Sequence, residues 1–170
     1  MAPEYAFLTR WRVRATAKEV AEILGDAPAL ARWWPSVYLD VKELSPGDRT
    51  THVGRVIALY TKGWLPYTLR WKFTVTESNP PHGFSLVAEG DLEGTGVWTI
   101  TEAGDHVDAT YDWRIAANKA LLRYGTLVMR PIFAANHRWA MARGLESLEL
   151  ELRRRRGEKD VPAPPGVKSR

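Results

Sequence analysis

The chain has 170 residues, no cysteine, a formal net charge of +4 and 45% hydrophobic residues, eight of them tryptophan. That length and apolar content suffice for one domain with a real core and fall short of two. The lack of thiols excludes disulfides, thiolate zinc sites and cysteine nucleophiles.

The opening MAPEYAFLTRWRVR has no apolar core of a signal peptide and reads as a first strand, with Tyr5, Phe7, Trp11 and Val13 on one face and Arg10, Arg12 and Arg14 on the other. Thr16 followed by Glu19 fits a capping box, Val20, Ile23 and Leu24 follow at helical spacing, and Gly25 fits a stop. A second short helix is expected from Asp26, as N-cap, to the WWP at Trp33, Trp34 and Pro35, where the proline ends it.

From residue 36 to 115 the pattern is strand and turn: SVYLDVKEL, THVGRVIALYT, PYTLRWKFTVT, FSLVAEG, GVWTITE and VDATYDWRIA. Short Gly- and Pro-bearing reversals separate them, among them SPGD, KGWLP, NPPHG, DLEG and AGD, which predicts an antiparallel meander of about six strands. PYTLRWKFTVT alternates strictly, with Tyr67, Leu69, Trp71, Phe73 and Val75 on one side. Around Val56 both faces are mixed, and the direction of Arg55 stays open.

A long helix is expected over about residues 120 to 156, kinked or broken at Pro131. One apolar stripe runs through Leu121, Tyr124, Val128, Ile132, Ala135, Trp139 and Ala142, and a second through Leu127, Ala134, Met141, Leu145, Leu148 and Leu152. The run RRRR at 153–156 reads as a solvated helix end that complements the macrodipole, not as a nucleic-acid patch. Residues 1–156 are thus expected to form a single domain and 157–170 a disordered polar tail. No apolar run approaches the roughly 18 to 20 residues of a membrane span. A cytoplasmic protein without stable membrane insertion is the expectation.

Among titratable groups His137 stands out, mid-helix beside Asn136 and flanked by Phe133 and Met141 four residues away on either side. An imidazole there suits general acid or base chemistry, or simple packing at a stripe edge. Asn136 suits orienting a carbonyl or satisfying a buried backbone group. His52, His82, His106 and His137 lack metal-ligand spacing, so no metal and no cofactor is expected. GTG at 94–96 reads as turn chemistry, GLESL is not a nucleophile elbow, and Glu89 and Asp91 fall on a polar face.

The element order, together with WRVRATAKEVAEIL followed by WWP, PPHGFSLVAEGDLEGTGVWTI and NHRWAMARGLESL, resembles the helix-grip fold of the START-type superfamily. More narrowly, it resembles the polyketide cyclase/dehydratase and lipid-transfer branch, over roughly residues 4 to 153. The resemblance implies an α+β fold of order β-α-α-β6-α, in which a curved antiparallel sheet of about seven strands wraps a long C-terminal helix. It further implies a cavity for a hydrophobic or amphipathic small molecule such as a lipid, polyketide or aromatic metabolite. Tyr67, Trp71, Phe73, Trp98, Tyr111 and Trp113 would face that cavity from the sheet, and Val128, Ile132 and Trp139 from the helix. In an enzyme of the cyclase/dehydratase type, His137, Asn136 and Tyr111 would carry the polar chemistry without metal. A weaker third reading uses the basic helix end on nucleic acid or a membrane. The residues alone leave the ligand and the oligomeric state open.

Overall fold

The computed structural model describes residues 4–117 and 126–166. Seven strands form one antiparallel sheet: β1 (Glu4–Val13), β2 (Tyr38–Ser45), β3 (Val56–Lys62), β4 (Thr68–Asn79), β5 (Gly83–Gly90), β6 (Leu92–Ala103) and β7 (His106–Ala117). Their order across the sheet is β1-β7-β6-β5-β4-β3-β2. Consecutive strands from β2 to β7 are neighbours, joined by short reversals, while β1 closes the far side against β7 from Glu4↔Ala116 to Val13↔Val107. The first two strands therefore form opposite edges. The chain crosses between them through α1 (Ala17–Gly25), a 3₁₀ turn (Ala27–Ala29) and α2 (Leu30–Trp33). The long helix α3 (Thr126–Arg155) lies over the curved sheet, as expected of a helix grip.

Alternation decides what the sheet buries. On β1 the inward row Tyr5, Phe7, Thr9, Trp11 and Val13 is buried or half-buried, and on β3 Ile57, Leu59 and Thr61 are buried. The capping box on α1 is present in full: Thr16 Oγ1 accepts the Glu19 backbone N–H, and Glu19 Oε2 accepts that of Thr16 at 2.8 Å. The inward residues of α3 are Phe133, His137, Met141, Gly144, Leu148 and Leu152, at steps of three and four. At Gly144 the bare backbone admits the Trp34 indole, which a side chain there would displace.

Several expectations are corrected. Asp26 makes no cap hydrogen bond; its carboxylate pairs with Arg155 at 3.3 Å, because the chain after α1 enters a 3₁₀ turn carrying Pro28. The helix runs through Pro131 without a break. The reversal expected at DLEG is present but tight, with only Asp91 between β5 and β6, whereas Gly94 and Gly96, expected in a turn, are strand residues paired with Ile115 and Trp113. Packing of Phe133 on Tyr5 and of His137 on Phe7 sets the rotation of α3, so Ala142 is exposed and Ile132, Ala135 and Trp139 are only half-buried. Leu121 and Tyr124 lie outside the described residues. Val128 is within α3, its side chain outside those described.

The four arginines of RRRR are held within the molecule. Arg153 pairs with Glu158, Arg154 with Glu151, Arg155 with Glu151 and Asp26, and Arg156 with Glu19. Arg156 also donates to the Arg14 carbonyl at 3.0 Å. Arg32 of α2 joins Glu151 with two hydrogen bonds of 3.2 Å. Burial works against the Glu151 charge, yet donors from Arg154, Arg32 and Arg155 hold its pKa down to about 2. The run is largely exposed, as a solvated helix end should be, and its ion pairs, with that of Arg32, also form a clasp that ties α3 to α1 and α2. No helix among the described residues is long and apolar enough to cross a membrane.

Candidate functional site

The concave face of the sheet, α3 and the α1–α2 segment enclose a cavity of about 940 Å³. One wall is a continuous run of rings. Trp98 stacks on Tyr111 at 4.4 Å between centroids, Tyr111 on Trp113 at 5.5 Å, and Trp113 meets Trp71 at 5.6 Å, with Trp11 packed behind Trp98 at 5.0 Å. These side chains come from β1, β6, β7 and β4, and they adjoin because the register sets Trp98 opposite Tyr111 and Trp11 opposite Ala109. Glycine makes the room. A Cβ at Gly96 would stand 2.6 Å from the Tyr111 hydroxyl and 3.1 Å from Leu86 Cδ1. On the helix side Phe133 meets Tyr5 edge-on at 5.6 Å, and the His137 ring stacks on Phe7 at 4.4 Å.

Polar groups interrupt this apolar surface at defined points. His137 Nε2 lies 3.4 Å from Thr9 Oγ1. Burial first, and the neighbouring Arg138 charge second, depress the imidazole pKa to about 4. The ring is therefore neutral at physiological pH, so Nδ1 and Nε2 offer one donor and one acceptor. Trp71 Nε1 donates to Thr61 Oγ1 at 3.0 Å. Burial raises the pKa of Tyr111, with Tyr38 nearby adding to it, and raises that of Tyr38 as well. Tyr67 is pushed up to about 12 by burial and, to a lesser extent, by Tyr5. All these phenols are protonated at neutral pH and can donate to a ligand oxygen. Tyr5 Oη and Trp34 Nε1 are buried without a hydrogen-bond partner among the described residues.

Of the residues singled out from the sequence, Tyr67, Trp71, Phe73, Trp98, Tyr111, Trp113, Asn136 and His137 all line this cavity. Ile132 and Trp139 do not, because α3 is rotated toward the row of Phe133, His137 and Met141. Asn136 has a structural duty: its Oδ1 accepts the Trp64 backbone N–H at 3.0 Å, and a side chain at Gly63 would collide with its amide. That contact fastens the β3–β4 loop to the helix.

Sequence reasoning missed Tyr38, Thr9, Thr61, Trp34 and Arg55. Trp34 belonged to a motif read as a helix stop, and Tyr38 to an edge strand without clean alternation. The direction of Arg55 was recoverable. It precedes the inward series Ile57, Leu59 and Thr61 by one step of two, and the Val75 N–H donates to its carbonyl at 2.9 Å. Arg55 therefore shares the concave face with Val75. No group of His, Asp or Glu suited to a metal ion occurs among the described residues.

Solved structures share this architecture at low identity. The Zhui aromatase/cyclase from a Streptomyces species superposes with a TM-score of 0.70 at 17% identity, covering 97% of this chain and 100% of that one. The di-domain ARO/CYC BexL gives a TM-score of 0.64 at 19% identity and 86% coverage of this chain, which spans only 49% of the BexL chain. A Thalictrum norcoclaurine synthase point mutant gives 0.61 at 15% identity, with 89% and 97% covered. At such identities the likeness establishes the fold alone. A search of curated proteins finds no significant match. The family model for polyketide cyclase/dehydrase and lipid transport matches residues 8–153, and the chain belongs to that family.

Proposed function

We propose that the protein binds a flat or elongated hydrophobic molecule, bearing a few oxygen functions, between the sheet and α3. The observation that carries this reading is the run of adjoining rings Trp98, Tyr111, Trp113 and Trp71 facing a cavity of about 940 Å³. Such a wall offers large, rigid apolar area at little entropic cost, while Tyr111, Tyr38 and Tyr67 supply donors to ligand carbonyls or hydroxyls. Native and denaturing mass spectrometry of the purified protein tests it. A stoichiometric apolar adduct that disappears on denaturation supports the reading. Failure of a panel of polycyclic aromatics, fatty acids and polyketide-like phenols to give any adduct contradicts it.

A second reading, acid–base catalysis of the cyclase/dehydratase type in the same cavity, is favoured by one observation. The neutral His137 imidazole and the protonated Tyr111 hydroxyl both line the site. Holding a flexible chain folded would supply much of the rate, His137 would take up a proton, and Tyr111 would donate a hydrogen bond to a developing oxyanion. Turnover of a poly-β-carbonyl substrate that falls with His137→Ala or Tyr111→Phe, while binding persists, would establish it. Equal turnover in the variants removes it.

A further inference from the structure

The interior aromatic wall says nothing of the other end of the cavity, which opens between the α1–α2 segment, the loop before β3 and the β4–β5 turn. There the concave row of β3 begins with Arg55, whose side chain is only 13% exposed. A guanidinium on a face otherwise occupied by Ile57, Leu59 and Val75 is costly unless paired. Its pairing is incomplete. Nη1 donates to the Gly25 carbonyl at 3.0 Å, while Nε, 3.2 Å from Glu43 Oε2, is buried without a hydrogen bond among the described residues. Around this opening Lys18 lies 3.8 Å from Glu22 and is largely exposed to solvent, and Arg155 pairs with Asp26. Arg55 is the buried one of these cations and keeps hydrogen-bonding capacity to spare.

We propose that Arg55 is a recognition residue for a carboxylate on the ligand, so that the protein takes an amphiphile whose apolar body lies against the aromatic wall and whose carboxylate reaches the opening. This rests on the binding reading above and adds the charge of the ligand and the direction in which it lies. A planar guanidinium whose Nε–H is left without a hydrogen bond fits a carboxylate with charge-assisted hydrogen bonds, and a partly buried one binds it more strongly than a surface lysine would. Glu43 then acts as a competing internal anion, displaced from good geometry and released to solvent when ligand enters.

The test compares two fluorescent ligands with one carbon skeleton, pyrenebutyrate and pyrenebutanol, on the full chain. Wild type is expected to bind pyrenebutyrate more tightly than the alcohol. Arg55→Gln should weaken pyrenebutyrate about tenfold or more while changing pyrenebutanol less than about twofold. Glu43→Gln, which frees the guanidinium, should tighten pyrenebutyrate several-fold. If both ligands bind wild type and neither responds to Arg55→Gln, the carboxylate assignment fails while the cavity reading stands. If neither ligand binds wild type, both fail. An equal loss for the two ligands in Arg55→Gln marks damage to the fold, and Glu43→Gln then decides: tightening of pyrenebutyrate alone supports the assignment, and no change overturns it.

Discussion

Gly96 on β6 holds open the space that the Tyr111 hydroxyl fills: a Cβ at position 96 would come 2.6 Å from that oxygen and 3.0 Å from Tyr111 Cε2. The tyrosine cannot swing aside freely, because its ring stacks on Trp98 at 4.4 Å and on Trp113 at 5.5 Å. Gly96→Ala is therefore expected to destabilise the protein by about 1–3 kcal/mol, as overpacking of a fixed core does. Urea unfolding measures this. A neutral effect would show that the aromatic wall is softer than its stacking indicates.

His137 sets a pH dependence. Its folded pKa of about 4 lies below the ordinary 6.5. Between those values the unfolded chain binds a proton that the folded chain does not, so stability falls as the pH drops through this window. The loss is about 1–3 kcal/mol by pH 4.5. His137→Gln, which cannot titrate, should flatten the stability profile between pH 7 and 4.5, and an NMR titration of the ring carbons should follow the imidazole directly.

The carboxylates of the arginine clasp act in a separate, lower window. Glu151 and Glu19 are both held near 2 from an ordinary 4.5. Arg154, Arg32 and Arg155 hold Glu151 against the opposing effect of burial, and Arg156 and the Thr16 N–H hold Glu19. Their contribution is present above about pH 4.5 and is lost as the pH falls toward 2. Glu151→Gln should cost about 2–3 kcal/mol at pH 7, less than for a fully buried pair because the arginines it leaves can be solvated. Equilibrium unfolding at pH 7 and pH 3 checks both statements, the gap between variant and wild type narrowing at the lower pH.

Asn136 fastens a loop and is not required to touch ligand. Asn136→Ala should cost about 1 kcal/mol and speed tryptic cleavage after Lys62, since the Trp64 N–H loses its acceptor. If Asn136→Ala left cleavage unchanged and impaired ligand binding instead, the residue would belong to the site proper.

The fold was legible because its signals are local and repeated. Strict alternation in PYTLRWKFTVT, the Thr16/Glu19 capping box and short turns between strands each dictate one element, and their order leaves few ways to pair them. The sheet side of the cavity followed, since period-two alternation places Trp71, Trp98 and Trp113 inward with no ambiguity. The helix side did not. Two apolar rows compete on α3, and the choice between Trp139 and His137 depends on the partners Tyr5 and Phe7 and on the gap at Gly144 that admits Trp34, contacts more than a hundred residues apart in sequence. Likewise, nothing local tells that Arg155 meets Asp26 and Arg156 meets Glu19, or that Gly94 and Gly96 serve a strand and not a turn.

The central claim is that the space between sheet and helix admits a ligand, and a fluorescence titration with 1-aminoanthracene on wild type and Leu69→Trp tests it most directly. Leu69 faces the cavity from β4, so the larger indole should fill part of it while the sheet stays intact by circular dichroism. Saturable one-to-one binding to wild type, weakened about tenfold or more by Leu69→Trp, is the result this account predicts. Binding that is equal in the two proteins, or that never saturates, would place the ligand on the surface and contradict it.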